Sequence, residues 1–176
     1  MMVRLNKHDM ALSEQAGALR WQLARASQTK DQAVDKSRDP KQMDRLGLRA
    51  EICVAKALNI DFSAATLGID SGGDLFIPIK DNDFFTAQVK ATFHKNGNLI
   101  FKRNEKFNFD CAILVCAQTQ EPDCDYFEIT GALGINAINT AKYETDMGKG
   151  EMWRVDREEL RPVCELWNHI QQQRLA

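Results

Sequence analysis

Residues 109–117 read Phe-Asp-Cys-Ala-Ile-Leu-Val-Cys-Ala, and no other stretch restricts the fold as strongly. From Cys111 to Ala117 every residue is apolar. A membrane helix needs about 20 such residues, so this run does not span a bilayer. A strand with one wet face alternates polar and apolar residues, and this run does not. It reads as a central strand buried on both faces, which requires a layer of cover on each side.

Helices supply part of that cover. Over residues 8–37, Leu12, Ala16, Leu19, Leu23 and Ala26 recur every three or four positions, the spacing of an apolar helical stripe. Asp39-Pro40 is expected to end this helix, because a residue before proline is pushed out of the helical region. A second helix is expected over about residues 42–59, with Leu46, Leu48, Ile52, Ala55 and Leu58 as its apolar positions and Asn59 as its terminator. A third is expected near 157–174, with the stripe Leu160, Val163, Cys164, Trp167 and Ile170 and with Pro162 in its first turn or at a kink.

Between these helices the texture is that of strands. Gly68, Gly72 and Gly73 punctuate a loop. Residues 75–79 form a short strand in which Pro78 marks an edge or bulge. Lys80-Asp81-Asn82-Asp83 is turn chemistry, so residues 75–93 read as a β-hairpin. Asn96-Gly97 is a second hairpin signal, leading into Leu99-Ile100-Phe101. Residues 126–129 and 152–155 complete the strands. Helices, then strands, then a helix give an α/β (α+β) chain with a single mixed central β-sheet flanked by helices. With 176 residues it is one domain, and 44% hydrophobic residues are too many for disorder.

Five cysteines without a C-x-x-C pair, and three scattered histidines, suit neither a disulfide framework nor structural zinc. The opening MMVRLNKHDM lacks the apolar stretch of a secretory signal, so a cytoplasmic chain with reduced thiols and no membrane partner is expected. The net charge of −2 conceals an uneven distribution. Residues 1–50 hold ten Lys/Arg against six Asp/Glu, and residues 91–106 hold Lys95, Lys102, Arg103 and Lys106 against Glu105 alone. Such stretches either are solvated faces or attract phosphates locally in an acidic protein.

Three polar features do not suit their elements. Glu51 falls among Gly47, Leu48, Val54, Ala55 and Leu58 on its helix. A carboxylate there lies at the stripe's margin, pairs with an arginine facing the core, or meets a metal. Asp74 follows two glycines and enters a strand, which is either turn chemistry or a ligand position, and Asp70 is a weaker candidate for the same role. Gln88, Lys90 and Thr92 share one strand face, opposite Ala87, Val89, Ala91 and Phe93. They form a half-exposed face or part of a site. The hairpin allows Asp74 to meet Gln88 and Lys90, and a helix packed on the sheet can bring in Glu51. Two carboxylates and an amide oxygen suit Mg2+ or Mn2+, which activate water and neutralise phosphodiester charge. A lysine beside them orients or deprotonates water, or stabilises developing charge.

This order of motifs resembles the PD-(D/E)XK nuclease superfamily, the restriction-endonuclease-like fold, in the branch with Gln in the second motif. The similarity covers roughly residues 44–130: the helix Gly47-Leu48-Arg49-Ala50-Glu51-Ile52-Cys53-Val54-Ala55, the segment Gly72-Gly73-Asp74-Leu75, the strand Gln88-Val89-Lys90 and the strand from Phe109 to Val115. Residues 1–40 are then a helical extension, and residues 156–176 a C-terminal helix. The resemblance implies a metal-dependent DNA endonuclease. Asp74 is its central Mg2+ (or Mn2+) ligand, Gln88 the second ligand, Glu51 the accessory carboxylate and Lys90 the catalytic lysine, with the Val89 carbonyl near the metal. Two departures stand out. Gln88 replaces an acidic residue and lowers the site's negative charge by one, and Gly73 stands where the family name has proline. Lys95, Lys102, Arg103 and Lys106 follow the signature strand and are expected to touch DNA phosphates, with Asn96 and Asn98 adding polar contacts. Arg20, Arg25, Lys30 and Lys36 offer a second basic surface. Cutting two strands needs two sites, which makes a homodimer joined through the terminal helices one expected arrangement. The alternatives are a non-catalytic DNA-binding or protein-interaction module on the same fold, and an unrelated α/β protein.

Overall fold

The computed structural model describes residues 1–26, 39–62, 73–80, 83–103, 105, 107–120, 123–138, 141–146 and 151–175. Gly68, Asp70, Gly72, Lys30, Lys36, Lys106 and the turn at Asp81-Asn82 lie outside these residues, as does the side chain of Arg25.

The chain opens with a short strand, β1 (Met2–Arg4), followed by helix α1 (Lys7–Ala26). Asn6 and Asp9 cap the helix reciprocally: each backbone N–H donates to the other's side-chain oxygen at 2.9 Å. The remainder of the helix expected to reach residue 37 lies outside the described residues. α2 spans Pro40–Ala57. Asp39-Pro40 starts the second helix; where the first ends lies outside the described residues. Asp39 is extended and accepts from the Lys41 N–H at 3.0 Å, and Pro40 occupies the first turn, where its missing N–H costs nothing. Asn59 ends the helix as expected, with φ 52° in the left-handed region that asparagine tolerates.

The central sheet has five strands in the order β1, β6 (Tyr126–Gly134), β5 (Cys111–Ala117), β3 (Asp83–Thr92), β2 (Leu75–Lys80). The β3–β5 pair is parallel and the others antiparallel, so the sheet is mixed as expected. β2 and β3 are the two arms of the expected hairpin. β5 is central and buried along its whole length. Its Cys111, Ile113, Val115 and Ala117 join the core beneath the helices with Ile52, Val54, Leu75, Ile77, Val89 and Ile170. Its Ala112, Leu114 and Cys116 face a second core with Leu99, Phe101, Phe109, Leu133 and Val155.

That second core is roofed by a feature the sequence reading missed. β4 (Leu99–Lys102), β8 (Glu151–Val155) and β7 (Glu144–Asp146) form a separate antiparallel sheet. The Asn96-Gly97 turn forms, with the Gly97 N–H donating to the His94 carbonyl at 2.9 Å, but it does not fold β4 back onto β3. Both edges of β3 are already taken by β2 and β5. β4 instead pairs with β8, Leu99 opposite Val155. A short helix, α3 (Ile135–Ile138), adds Ile138 to this core.

The last helix, α4, spans Val163–Leu175 and so begins later than expected. Arg161 is held extended by two backbone bonds to Ala132 of β6, and Pro162 follows it directly. α1 keeps Leu12 and Ala16 of its expected stripe against the core, but not Leu19 and Leu23. Ser13 and Ala16 are buried, while Leu19 and Leu23 are 41% and 42% exposed. The close approach to α2 explains this choice: a Cβ on Gly17 would stand 3.4 Å from the Leu48 side chain, so small residues face the contact. Among the described residues, no helix is long and apolar enough to cross a membrane.

Candidate active site

Asp74 stands where β2 begins. Its N–H donates to the Ala87 carbonyl at 2.9 Å, and Leu75 pairs with Ala87, which sets Asp74 beside Gln88. Gly73 permits the approach, since a Cβ there would meet the Thr86 Cβ at 3.3 Å. Val89 lies beyond the stretch of β3 that β2 covers, and Asp74 takes over its backbone donor. Asp74 Oδ2 accepts from the Val89 N–H at 2.7 Å and from Gln88 Nε2. Gln88 thus turns its amide nitrogen toward the carboxylate, whereas a ligand role calls for the amide oxygen. Among the described residues no hydrogen bond to Asp74 Oδ1 is seen, which leaves that oxygen for another partner.

Lys90 shares the Gln88 face of β3. Its ammonium lies over the Phe101 ring, 4.9 Å from the centroid, and pairs with Glu105. Glu105 belongs to the turn after β4. Its N–H donates to the Lys102 carbonyl at 3.0 Å, and its second carboxylate oxygen accepts from the Lys102 N–H at 3.2 Å. The lysine is therefore held from both sides, by an aromatic face and a carboxylate.

Glu51 reaches the same region from α2 and is 3% exposed. Arg20, on α1, meets it with two parallel bonds of 2.8 Å, one to each carboxylate oxygen. Of the alternatives open for Glu51, the arginine pair is the one observed. Arg20 accordingly faces inward and is not part of a basic surface. Two residues before Glu51, Arg49 is also buried: its guanidinium donates to Ser13 Oγ at 3.3 Å, the Cys124 carbonyl at 3.3 Å and Glu14 Oε1 at 2.9 Å.

The site brings together two cations, Arg20 and Lys90, and three carboxylates, Glu51, Asp74 and Glu105. Burial pushes the Glu51 carboxyl up to about 7; Arg20 opposes the rise and the charge of Asp74 adds to it. Burial also raises the Asp74 carboxyl; the Val89 N–H, Arg20 and Lys90 pull it back, and Glu105 pushes it further up. For Arg20, burial works against the charge, but Glu51, Asp74 and Asp44 outweigh it and keep the guanidinium ionised. Both carboxyls are raised chiefly by burial, with like-charge repulsion from neighbouring carboxylates adding to it.

A hard divalent cation suits that place chemically. Magnesium is commonly held by only one or two carboxylates and keeps several waters. Asp74 Oδ1 and the Glu51 carboxylate supply that set, with Glu51 engaged by Arg20. No cage of three or more His, Cys, Asp or Glu side chains arranged for a metal occurs among the described residues.

The described residues expected at DNA phosphates lie on the turn after β3 and on or just after β4. Lys95 is exposed in the turn after β3, and its carbonyl accepts from Arg157 at 2.7 Å. Lys102 lies on β4, and Arg103 pairs with Glu151 and, at 3.6 Å, with Glu144 of the small sheet. Arg103 is thus already charge-balanced. Asn98 accepts from the Arg157 N–H at 3.1 Å. Sequence reasoning did not assign Glu105 or Arg20 to the site. For Arg20 a signal existed: Ser13, Ala16 and Arg20 fall at three- and four-residue spacing on the face of α1 that meets α2. Glu105 gave no local signal, because its partner stands on another strand.

No protein-family model, no curated protein and no solved structure matches this chain.

Proposed function

We propose that this chain is a metal-dependent DNA endonuclease of the PD-(D/E)XK kind, hydrolysing phosphodiester bonds with Mg2+ or Mn2+. The observation that supports it most is the meeting of the hairpin arms, where Asp74 bonds to Gln88 and the Val89 N–H beside Lys90. A bound divalent ion would supply an activated water and neutralise charge on the scissile phosphate. Asp74 and Glu51 would hold that ion. Lys90, poised between Phe101 and Glu105, would orient the attacking water or stabilise the charge developing on phosphate oxygens. Through its N–H, Val89 would favour the ionised form of Asp74 against the effect of burial and fix its orientation. A cytoplasmic location accords with this reading, since the four buried cysteines are unpaired thiols.

The test is cleavage of plasmid and oligonucleotide DNA. Cutting should require Mg2+ or Mn2+, stop with EDTA, and vanish in Lys90→Ala while the circular dichroism spectrum is retained. Cutting that persists in Lys90→Ala removes Lys90 from the chemistry.

The Arg20–Glu51 pair favours one other reading, a non-catalytic DNA-binding or protein-interaction module in which an arginine stands in for the metal. DNA binding without cleavage, and without calorimetric heat from magnesium, would select it.

A further inference from the structure

We propose that Arg20 is an affinity-determining residue of this site, sharing Glu51 with the divalent ion so that the metal enters only as the guanidinium leaves. The inference rests on the reading of Asp74 and Glu51 as metal-holding groups.

Arg20 engages both oxygens of Glu51 at 2.8 Å, so a cation would have to share each oxygen with a guanidinium N–H and sit beside its positive charge. Glu51 is 3% exposed, and its carboxylate cannot swing into solvent to escape the pair. The Arg20 side chain, by contrast, is 24% exposed and comes from a different helix, so it has a way out. Its guanidinium is also close enough to Asp74 for the two charges to influence each other, which sets a fixed positive charge beside the second metal-holding carboxylate. An ion approaching this site meets one carboxylate already used and a cation already present. The competent arrangement is the fraction of molecules in which the pair is open, and the apparent dissociation constant is the intrinsic one divided by that fraction. α1 thereby sets the metal affinity, although it carries no metal-holding residue itself.

The test is titration of the full-length chain with manganese alone at pH 8, free ion being read by electron paramagnetic resonance. Arg20→Met keeps much of the stem and removes the charge and the fork. It should bind manganese at least tenfold more tightly than the wild type, and Arg20→Lys, which keeps the charge but loses the fork, should fall between them. Adding Glu51→Gln to Arg20→Met should abolish the gain. Where Arg20→Met is too unstable for titration, unfolding curves give the same comparison: manganese should raise its Tm by more than it raises the wild-type Tm. Equal or weaker manganese binding by a folded Arg20→Met, with the wild type binding normally, overturns the exchange and leaves the metal site intact. Absence of manganese binding in the wild type and in every variant overturns the metal reading and this inference together.

Discussion

Replacing Asp74 by Asn should make the protein more stable and inactive. Asn has nearly the same shape and keeps an oxygen that can accept from the Val89 N–H, now at 2.7 Å from Asp74 Oδ2. What it loses is the charge. A hydrogen bond to a charged group contributes about 1.5–3 kcal/mol against about 0.5–1.5 kcal/mol for a neutral one, so the substitution gives up about 1 kcal/mol there. Against this stand the burial of the carboxylate and its repulsion by Glu105 and Glu51. Because the carboxyl is raised above 3.8, the unfavourable contributions outweigh the favourable ones, and ionising it is harder in the fold than in the unfolded chain. The net gain should be about 1 kcal/mol, within the usual range of about 0.5–2 kcal/mol for a stabilising change. In a chain of this size that raises Tm by about 2–4 °C. The pH dependence has a definite sign. A carboxyl raised in the fold contributes stability that is fully present below its unfolded value of 3.8 and is lost as pH rises through the folded value. The Asp74→Asn variant has no such loss, so the gap between variant and wild type should open on going from pH 4 to pH 7. The assay is thermal unfolding of both proteins without metal across that range, beside DNA cleavage with magnesium. A variant that unfolds below the wild type at pH 7, or a gap that does not change with pH, would refute the reasoning and show that the bonds to Val89 and Gln88 dominate.

Other perturbations probe the frame around the site. Arg49→Leu should destabilise by about 3 kcal/mol, because it orphans the buried Cys124 carbonyl and removes the bonds to Ser13 Oγ and Glu14; urea unfolding should show the midpoint fall. Asp39→Ala should cost about 1 kcal/mol by removing the cap of α2, read in the same assay. Of the five thiols only Cys164 is exposed, and burial raises Cys111 to about 12, so a thiol reagent should titrate one cysteine in the native protein and five after denaturation.

The parts of the fold that were legible depend on local pattern. The unbroken run in β5 demanded cover on both faces and received it from helices and a small sheet. The β2–β3 hairpin followed from turn residues between two apolar runs, and it placed Asp74 beside Gln88. What escaped depends on distant partners. β4 looked like a hairpin arm but pairs with β8, far along the chain, because β3 had no free edge. Asp39-Pro40 reads in the sequence only as the end of one helix, yet the Asp39 cap shows that it starts another. The apolar stripe of α1 holds at Leu12 and Ala16 but not at Leu19 and Leu23, because packing against Leu48 and the charges of Arg49 and Glu51 bring Ser13, Gly17 and Arg20 inward. The partner of Glu51 could be named only as positive, since an arginine and a metal ion satisfy the same buried carboxylate.

The claim on which the rest depends is that Asp74 and Glu51 hold a divalent cation beside Lys90. Anomalous diffraction from crystals soaked in manganese tests it most directly. The account predicts one strong peak about 2.1 Å from an Asp74 oxygen, with a Glu51 oxygen at a similar distance and Arg20 withdrawn. Manganese bound only elsewhere on the molecule, with Arg20 still clasping Glu51, would contradict it.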